Sequence, residues 1–251
     1  MSGPIHIHVV AAGRFHDIDF ARLEILKLLA EEPRIRATVG CDYSNVDRLD
    51  DCTALVTYTC DLVPAAAETE ALRKFLARGG RWLALHGTNS ILRFLESGLV
   101  SAPDEAPEFM QLLGTQFRAH PPIGPMQVEV VDRDHPMTRG IDDFEIVDEL
   151  YLSERTSDVR VLMKTRFTGE ATGFEQADWD EAEVPILYTR DHGPAEKGGG
   201  VLYNTLGHCR GHYDVAELMP FWPHPERCGW EYPVYYELLR RGIRWAIGEL
   251  G

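Results

Sequence analysis

The chain has 251 residues, of which 44% are hydrophobic and 26% charged, so it can bury the core of one large globular domain over residues 1–251. Its formal net charge of −15 argues against nucleic acid or an anionic membrane as a partner, because both favour a basic face. No signal peptide or run of transmembrane length is present, and the five cysteines are scattered, which favours a reduced, cytoplasmic protein.

The first half of the chain alternates apolar runs with amphipathic segments, which is typical of α/β folds with a parallel sheet. The first helix is expected to be capped by Asp19. A second helix over residues 65–78 ends at Gly79 and Gly80. The predicted strands cover residues 5–11, 35–41 and 54–59 and a run that ends at His86. The apolar stripe of the first helix comprises Phe20, Leu23, Leu26 and Leu29.

The second half of the chain is less regular. The proline-rich residues 121–125 are predicted to lie outside regular structure, and the acidic residues 169–183 form a surface excursion. The glycine-rich stretch 191–199 is a plain turn and lacks the features of a phosphate loop, so no nucleotide cofactor is expected. Strands are predicted at residues 126–131, 145–150, 159–165, 184–189 and 200–206, and helices at 108–113 and 234–248.

One turn combines a strand end with a chemically capable side chain. In the segment GRWLALHG (80–87) a short apolar run stops at His86, and a glycine and small polar residues follow. This pattern indicates a strand, a sharp turn and a helix start, as in the nucleophile elbow of hydrolases and amidotransferases. A histidine at this place suits a metal ion or a proton transfer better than acyl chemistry.

Other polar side chains stand where predicted strands end: His120, the pair Asp148 and Glu149, and His208. Ligands in open α/β sheets bind beyond the carboxyl ends of the strands, so these groups are expected to converge with His86. His86, His120, Glu149 and His208 would form a divalent-metal site of the zinc type. Alternatively His86, His208 and Glu149 act as general acid and base without a metal.

Further residues are expected to contact a substrate: Arg14 and His16 at the end of the first strand, together with Arg118 and Asp148. The aromatic, proline-rich residues 221–232 either stack on sugar rings or simply cover the last helix or a dimer contact.

Four motifs in order resemble the ThuA-like, or trehalose-utilisation, family. They are GRWLALHG (80–87), HPMTRGI (135–141), DELY (148–151) and LGH (206–208). The resemblance implies a flavodoxin-like three-layer α/β/α sandwich with a mostly parallel sheet, similar to class I glutamine amidotransferases. It also implies that His86 stands where an amidotransferase has its nucleophilic cysteine, and Arg210 where the His-x-Glu pattern would have its glutamate. Glutaminase chemistry is therefore not expected.

The family context implies sugar catabolism. We expect a lyase, hydratase or hydrolase of keto-sugars or glycosides, which acts by acid–base or metal-assisted chemistry on a small sugar substrate. The alternative is a sugar-binding or regulatory protein that has kept the fold without the chemistry. A homodimer is the expected assembly.

Overall fold

The computed structural model describes residues 3–193, 199–211 and 224–250. Its strands are β1 (Ile5–Gly13), β2 (Ile35–Gly40), β3 (Ala54–Cys60), β4 (Arg81–Leu85), β5 (Arg93–Phe94), β6 (Val100–Ser101), β7 (Thr115–Ala119), β8 (Gly124–Val130), β9 (Phe144–Asp148), β10 (Leu152–Arg155), β11 (Arg160–Glu170), β12 (Asp178–His192) and β13 (Gly199–Asn204). Its helices are α1 (Ile18–Ala30), α2 (Ala66–Ala77), α3 (Pro107–Leu113) and α4 (Pro233–Ala246). Short 3₁₀ turns occupy Val46–Asp51, His86–Asn89 and Cys228–Glu231.

One large sheet organises the molecule, with strand order β2-β1-β3-β4-β13-β12-β11-β8-β9. The first five strands are parallel, and the remaining pairings are antiparallel. The predicted α/β fold is confirmed, and its sheet is parallel at one end and antiparallel at the other. Since β1, β3, β4 and β13 are parallel neighbours, their carboxyl ends lie together at one edge of the sheet.

Helices cover both faces of the parallel half and give three layers. Along β1, Ile7 and Val9 belong to the apolar cluster beneath α1 and α4, whereas Val10 packs with Phe75 of α2 on the other face. This alternation is expected for a strand that is covered on both sides. Phe75 is fully buried, which contributes roughly 2–3 kcal/mol to folding.

The predicted cap of α1 is wrong, and its predicted apolar stripe is right in part, since Leu29 is buried and Phe20 and Leu26 pack against the core. Asp17, not Asp19, caps the helix, and its Oδ1 accepts the N–H of Phe20 at 3.1 Å. Leu23 is 52% exposed. Residues spaced by three drift around a helix of 3.6 residues per turn, so a strict three-residue stripe leaves the buried face. The buried positions of α1 are Ala21, Ile25, Leu28 and Leu29.

The acidic stretch 169–183 is not a simple surface excursion. β11 continues to Glu170 and β12 starts at Asp178, so most of the stretch belongs to the end of a long antiparallel hairpin. Exposed strands with polar side chains on both faces carry no alternating apolar signal. Gly124 likewise starts β8, although residues 121–125 were expected to be irregular.

The predicted turn at 191–199 begins later than expected, because β12 runs to His192. Residues 194–198 of that turn lie outside the described part of the chain. Within the described residues, no helix combines the length and apolar character that crossing a membrane would require.

Candidate metal centre

His86 stands on a strained turn directly after β4. Its backbone φ is 40°, in the left-handed region, and a Cβ on the next residue, Gly87, would lie 2.6 Å from Thr59 O. The hydroxyl of Tyr203 donates to His86 O at 2.5 Å and holds the turn. A non-glycine residue in the left-handed conformation destabilises the fold by about 1–3 kcal/mol, and such residues are common at functional sites. The geometry is that of an elbow with a fully buried imidazole at its tip.

Four buried side chains converge at this edge of the sheet. His16 follows β1, His86 follows β4, His208 follows β13 and Glu149 follows β9. Each of these residues offers one ligand atom, and the four ligand atoms all lie within 4.8 Å of one another. We call these four residues the histidine cluster. Three imidazole nitrogens and one carboxylate oxygen are a donor set that zinc prefers.

Each histidine of the cluster is oriented through its outer nitrogen. A carbonyl or carboxylate accepts there and leaves the other nitrogen facing the cluster. The acceptors are Arg14 O for His16 Nδ1 (3.1 Å), Thr205 O for His86 Nδ1 (2.8 Å) and Glu226 Oε2 for His208 Nε2 (3.1 Å). Metal-ligating histidines nearly always have such outer partners, which select the tautomer and the ring orientation.

The ring nitrogens that face the centre of the cluster carry too few protons to hydrogen-bond one another. His16 Nε2 lies 2.9 Å from His86 Nε2, and both are lone-pair atoms when the Nδ1 atoms carry the protons. His208 Nδ1 is buried without a well-aligned hydrogen bond, although Glu149 Oε2 is 3.2 Å away. Glu149 Oε2 also lies 3.5 Å from His86 Nε2. A positive species, either a proton or a metal ion, must occupy this centre.

The spacing of the donor atoms fits a small tetrahedral ion. Bonds of about 2.0–2.2 Å to zinc place neighbouring ligand atoms about 3.3 Å apart. The contacts of 2.9, 3.2 and 3.5 Å within the cluster fall around that value. The remaining pairs of ligand atoms lie no more than 4.8 Å apart, so the residues present fit a divalent cation with at most small shifts of the side chains.

The protonation of the cluster agrees with this charge balance. Burial opposes ionisation of Glu149, but the charges of His120 and His208 outweigh it and hold the pKa of Glu149 well below its usual range. Burial and the charges of His86 and His208 hold the pKa of His16 well below 6.5, so this ring is neutral, as a metal ligand must be. Burial lowers the pKa of His208, but the carboxylate of Glu149 outweighs it and raises this pKa to about 9. Without a metal ion the positive species at the centre is therefore a proton on His208, which a metal ion would displace.

His120, which the sequence pattern placed among the ligands, lies one layer outside the histidine cluster. Its Nε2 is 3.3 Å from Glu149 Oε1, and its Nδ1 is 2.9 Å from Pro121 O. The side chain is 31% exposed and its ring packs edge-on against Phe174. The structure brings His16 to the inner position instead. His16 follows a strand end as the other three do, and that signal could have identified it as a ligand.

Asp148 faces the backbone and not the inside of the cluster. Its carboxylate accepts the N–H groups of Gly207 (2.8 Å), His208 (3.0 Å) and Gly229 (3.1 Å). These bonds tie the carboxyl end of β9 to that of β13, and this brings Glu149 against His208. Burial raises the pKa of Asp148, although the charge of His86 and the backbone donors counteract the rise.

The two arginines that were expected to contact a substrate take different positions. Arg14, two residues before His16, is 66% exposed and approaches Asp61 at 3.6 Å. Arg118 is held by surface groups that are not part of the cluster. Its partners are Ala102 O (2.7 Å), Asp104 (2.8 Å) and Glu154 (2.7 Å).

The aromatic segment 221–232 is only partly described, because residues 221–223 lie outside the described residues. Trp230 is 4% exposed and donates through Nε1 to Gly207 O at 2.8 Å. It packs edge-on against Tyr235 of α4. Trp230 therefore covers the last helix and the turn before His208.

Cys60 lies against the elbow turn. Its Cβ would lie 2.9 Å from a Cβ on Gly87. The residue is 2% exposed, and burial together with the charge of Glu149 raises the pKa of the thiol well above its usual value. A buried thiol with so high a pKa is a poor nucleophile.

Comparison with known proteins identifies relatives of this fold. A ThuA-like protein from Parabacteroides merdae aligns with a TM-score of 0.70 at 14% identity, over 98% of this chain and 91% of that one. A ThuA-like protein from Bacteroides uniformis gives 0.65 at 17% identity, over 98% and 93%. A protein described as part of a GMP synthase from Thermoplasma acidophilum gives 0.51 at 11% identity, over 99% and 96%, and has a glutamine amidotransferase-like fold.

A search of curated protein sequences finds no match to this chain. The family model described as trehalose utilisation, ThuA, matches residues 7–221, which is most of the chain. The chain therefore belongs to the ThuA family.

Proposed function

We propose that this chain is a carbohydrate-utilisation enzyme that holds a divalent cation of the zinc class in its histidine cluster. The main observation that supports this proposal is the 2.9 Å distance between the Nε2 atoms of His16 and His86. A cation between the rings would remove the repulsion between their lone pairs. The misaligned, buried Nδ1 of His208 and the carboxylate of Glu149 complete the donor set. Family membership supports the carbohydrate role.

The substrate class we propose is an oxidised sugar, a glycoside with a ketone in the ring, and the reaction a lyase, hydratase or hydrolase step. A divalent cation would supply Lewis acidity toward an oxygen of such a substrate, which would join the four protein ligands as a fifth. His16, His86, Glu149 and His208 hold it, and the outer partners of the histidines keep the rings in place. A carbon next to a ketone is acidic enough for a positioned base to take its proton.

We assign the removal of that proton to His120, the partly exposed neighbour of the cluster. Its Nδ1 is bonded to Pro121 O, so its Nε2 must exchange the contact with Glu149 Oε1 for the C–H group of the substrate. The C–H electron pair passes to the carbonyl oxygen as an enolate. Return of that pair expels the alkoxide from the next carbon, and the alkoxide takes a proton and leaves as an alcohol. Addition of water to the resulting double bond is the hydratase direction of the same chemistry.

Two finer proposals accompany the function. The protein works in the cytoplasm, which is supported by five cysteines that all remain unpaired. It assembles as a homodimer, which is the commonest assembly of soluble proteins.

Elemental analysis of tag-free protein tests the metal centre. We expect near-stoichiometric zinc or another divalent metal in the wild type after supplementation, and loss of it in His86→Gln and His208→Gln. His6→Gln is the matched control, because His6 is an exposed histidine on β1. A metal-free wild type, or variants that retain the metal, would contradict the proposal.

A further inference from the structure

An aromatic and charged rim lies on the loops that neighbour the histidine cluster and takes no part in the chemistry above. It consists of Arg14 and Phe15 after β1, Asp61 after β3, and Arg93 and Phe94 of β5. We propose that this rim binds a neutral pyranose ring of the substrate. The inference rests on the proposed function and names the part of the site that recognises the sugar.

The rim presents an exposed aromatic surface. The rings of Phe15 and Phe94 lie 5.8 Å apart at 59°, and Phe94 is 64% exposed. The guanidinium of Arg14 lies over the Phe15 ring at 4.8 Å. Folding does not require a phenylalanine that is mostly in water, whereas an aromatic face is a good partner for the C–H face of a sugar ring.

The charges around these rings balance. Arg93 Nη1 lies 3.0 Å from Asp61 Oδ1, and Arg14 Nη1 lies 3.6 Å from Asp61 Oδ2. Arg93 is also paired with Glu105. With Glu105 counted beside Asp61, two guanidinium groups stand against two carboxylates and leave no net charge to attract an anion. Their remaining donors and acceptors suit the hydroxyl groups of an uncharged sugar.

The backbone of the rim is held in an unusual conformation and is bonded to the elbow. Phe15 (φ 67°) and Asp61 (φ 55°) are left-handed, as are His86 and Cys228 at the site, and these four are the non-glycine residues with positive φ among those described. The N–H of Asp61 donates to Ser90 O at 2.9 Å, just beyond the elbow turn. Strain of this kind persists where the surrounding structure enforces it, commonly at ligand sites.

The rim is also close to the cluster in the amino-acid sequence. Phe15 immediately precedes His16, and the N–H of Arg14 donates to Cys60 O at 3.0 Å. The loops that carry Phe15 and Asp61 are therefore bonded to the loops that carry the inner donors. A ring seated on Phe15 and Phe94 would be a second sugar unit, or the leaving group of a glycoside, on these loops.

Saturation-transfer-difference NMR with trehalose tests the proposal, because trehalose is a neutral disaccharide and the method detects weak binding. We expect transfer to the ring C–H protons in the wild type and a loss of affinity of about three- to tenfold in Phe94→Ala and Phe15→Ala. Phe94→Trp retains the signal. Leu23→Ala is the matched control, because it removes an exposed apolar side chain on α1.

Glucuronate, a sugar of similar size with a carboxylate, is expected to bind no better than trehalose. Absence of transfer to trehalose in the wild type would overturn the proposal, as would full affinity in both phenylalanine variants or a clear preference for glucuronate. Metal content measured on the same samples separates the two proposals. Phe94→Ala is expected to keep the metal content of the wild type. A negative result for sugar binding therefore overturns only the rim proposal, and a metal-free protein overturns only the metal proposal.

Discussion

At the scale of single residues, the assignment of ligands depends on which nitrogen of each ring has an outer partner. His16 and His86 each donate from Nδ1 to a backbone carbonyl and turn Nε2 inward, whereas His208 is held through Nε2 and turns Nδ1 inward. His120 differs because its inward nitrogen meets Glu149 Oε1 and not the centre of the cluster. The geometry therefore separates three inner histidines from one outer histidine.

The first prediction compares His16→Gln with His120→Gln. Loss of an outer partner of a metal site typically lowers metal affinity by about 10- to 100-fold. We expect His120→Gln to lower metal affinity by no more than that factor and to abolish turnover. His16→Gln should lower metal affinity further, because it removes a ligand. Competition with a chromogenic chelator measures both. Equal losses of affinity in the two variants would contradict the assignment of the inner site.

The second prediction concerns Glu226, whose Oε2 lies 3.1 Å from His208 Nε2. Glu226→Gln removes the negative charge that makes His208 a better donor, so we expect metal affinity to fall by about 10- to 100-fold. Glu231→Gln is the control, since Glu231 is an exposed carboxylate in the neighbouring 3₁₀ turn. An unchanged affinity in Glu226→Gln would show that this carboxylate does not support the metal.

At the scale of elements, the elbow and the convergence of strand ends could be predicted from the sequence. An apolar run that stops at a histidine and a glycine is a local signal, and the structure has that turn after β4. The sequence predicts that Glu149 stands at a strand end, but it does not predict the contacts that bring this strand end to the cluster. These contacts are the pairing of β8 with β9 and the N–H groups of Gly207 and Gly229 that Asp148 accepts, and long-range contacts of this kind leave no local pattern.

The third prediction tests the tie that Asp148 makes between β9 and β13. Asp148→Asn replaces one acceptor oxygen by an amide that faces two backbone N–H groups, because each oxygen accepts two, and it removes a charge that strengthened the other bonds. We expect unfolding free energy to fall by roughly 2–4 kcal/mol, since hydrogen bonds to charged groups contribute about 1.5–3 kcal/mol each.

Thermal denaturation of the metal-free protein measures this effect. For a chain of this size, 1 kcal/mol corresponds to roughly 2–4 °C in Tm. Asp134→Asn provides the comparison, because Asp134 is an exposed aspartate in a turn. A Tm that is the same in Asp148→Asn and Asp134→Asn would show that the tie contributes little.

At the scale of the whole molecule, the cluster joins four separate parts of the chain. Its ligands follow β1, β4, β9 and β13, which span the parallel half and the far antiparallel edge of the sheet. The parallel half could be predicted from its alternating pattern, whereas β11 and β12 were partly missed because their polar ends carry no apolar alternation. A ligand that bonds all four parts stabilises the folded chain, since the unfolded chain cannot assemble the site.

The fourth prediction follows from this coupling. A ligand at about 1,000 times its Kd contributes roughly 4 kcal/mol to stability. Chelation should then lower Tm by roughly 8–16 °C, and added zinc should restore it. In His208→Gln the shift on chelation should be much smaller. An identical Tm with and without chelator in the wild type would contradict a metal that bridges these elements.

The most direct measurement of the central claim is X-ray absorption at the zinc edge of the zinc-reconstituted protein. We predict a first shell of three imidazole nitrogens with oxygen, at about 2.0–2.2 Å, and no sulfur near 2.3 Å. His16→Gln should lower the imidazole count, and His120→Gln should leave it unchanged. A spectrum with sulfur ligands, fewer than two imidazoles in the wild type, or no bound zinc would contradict the metal centre.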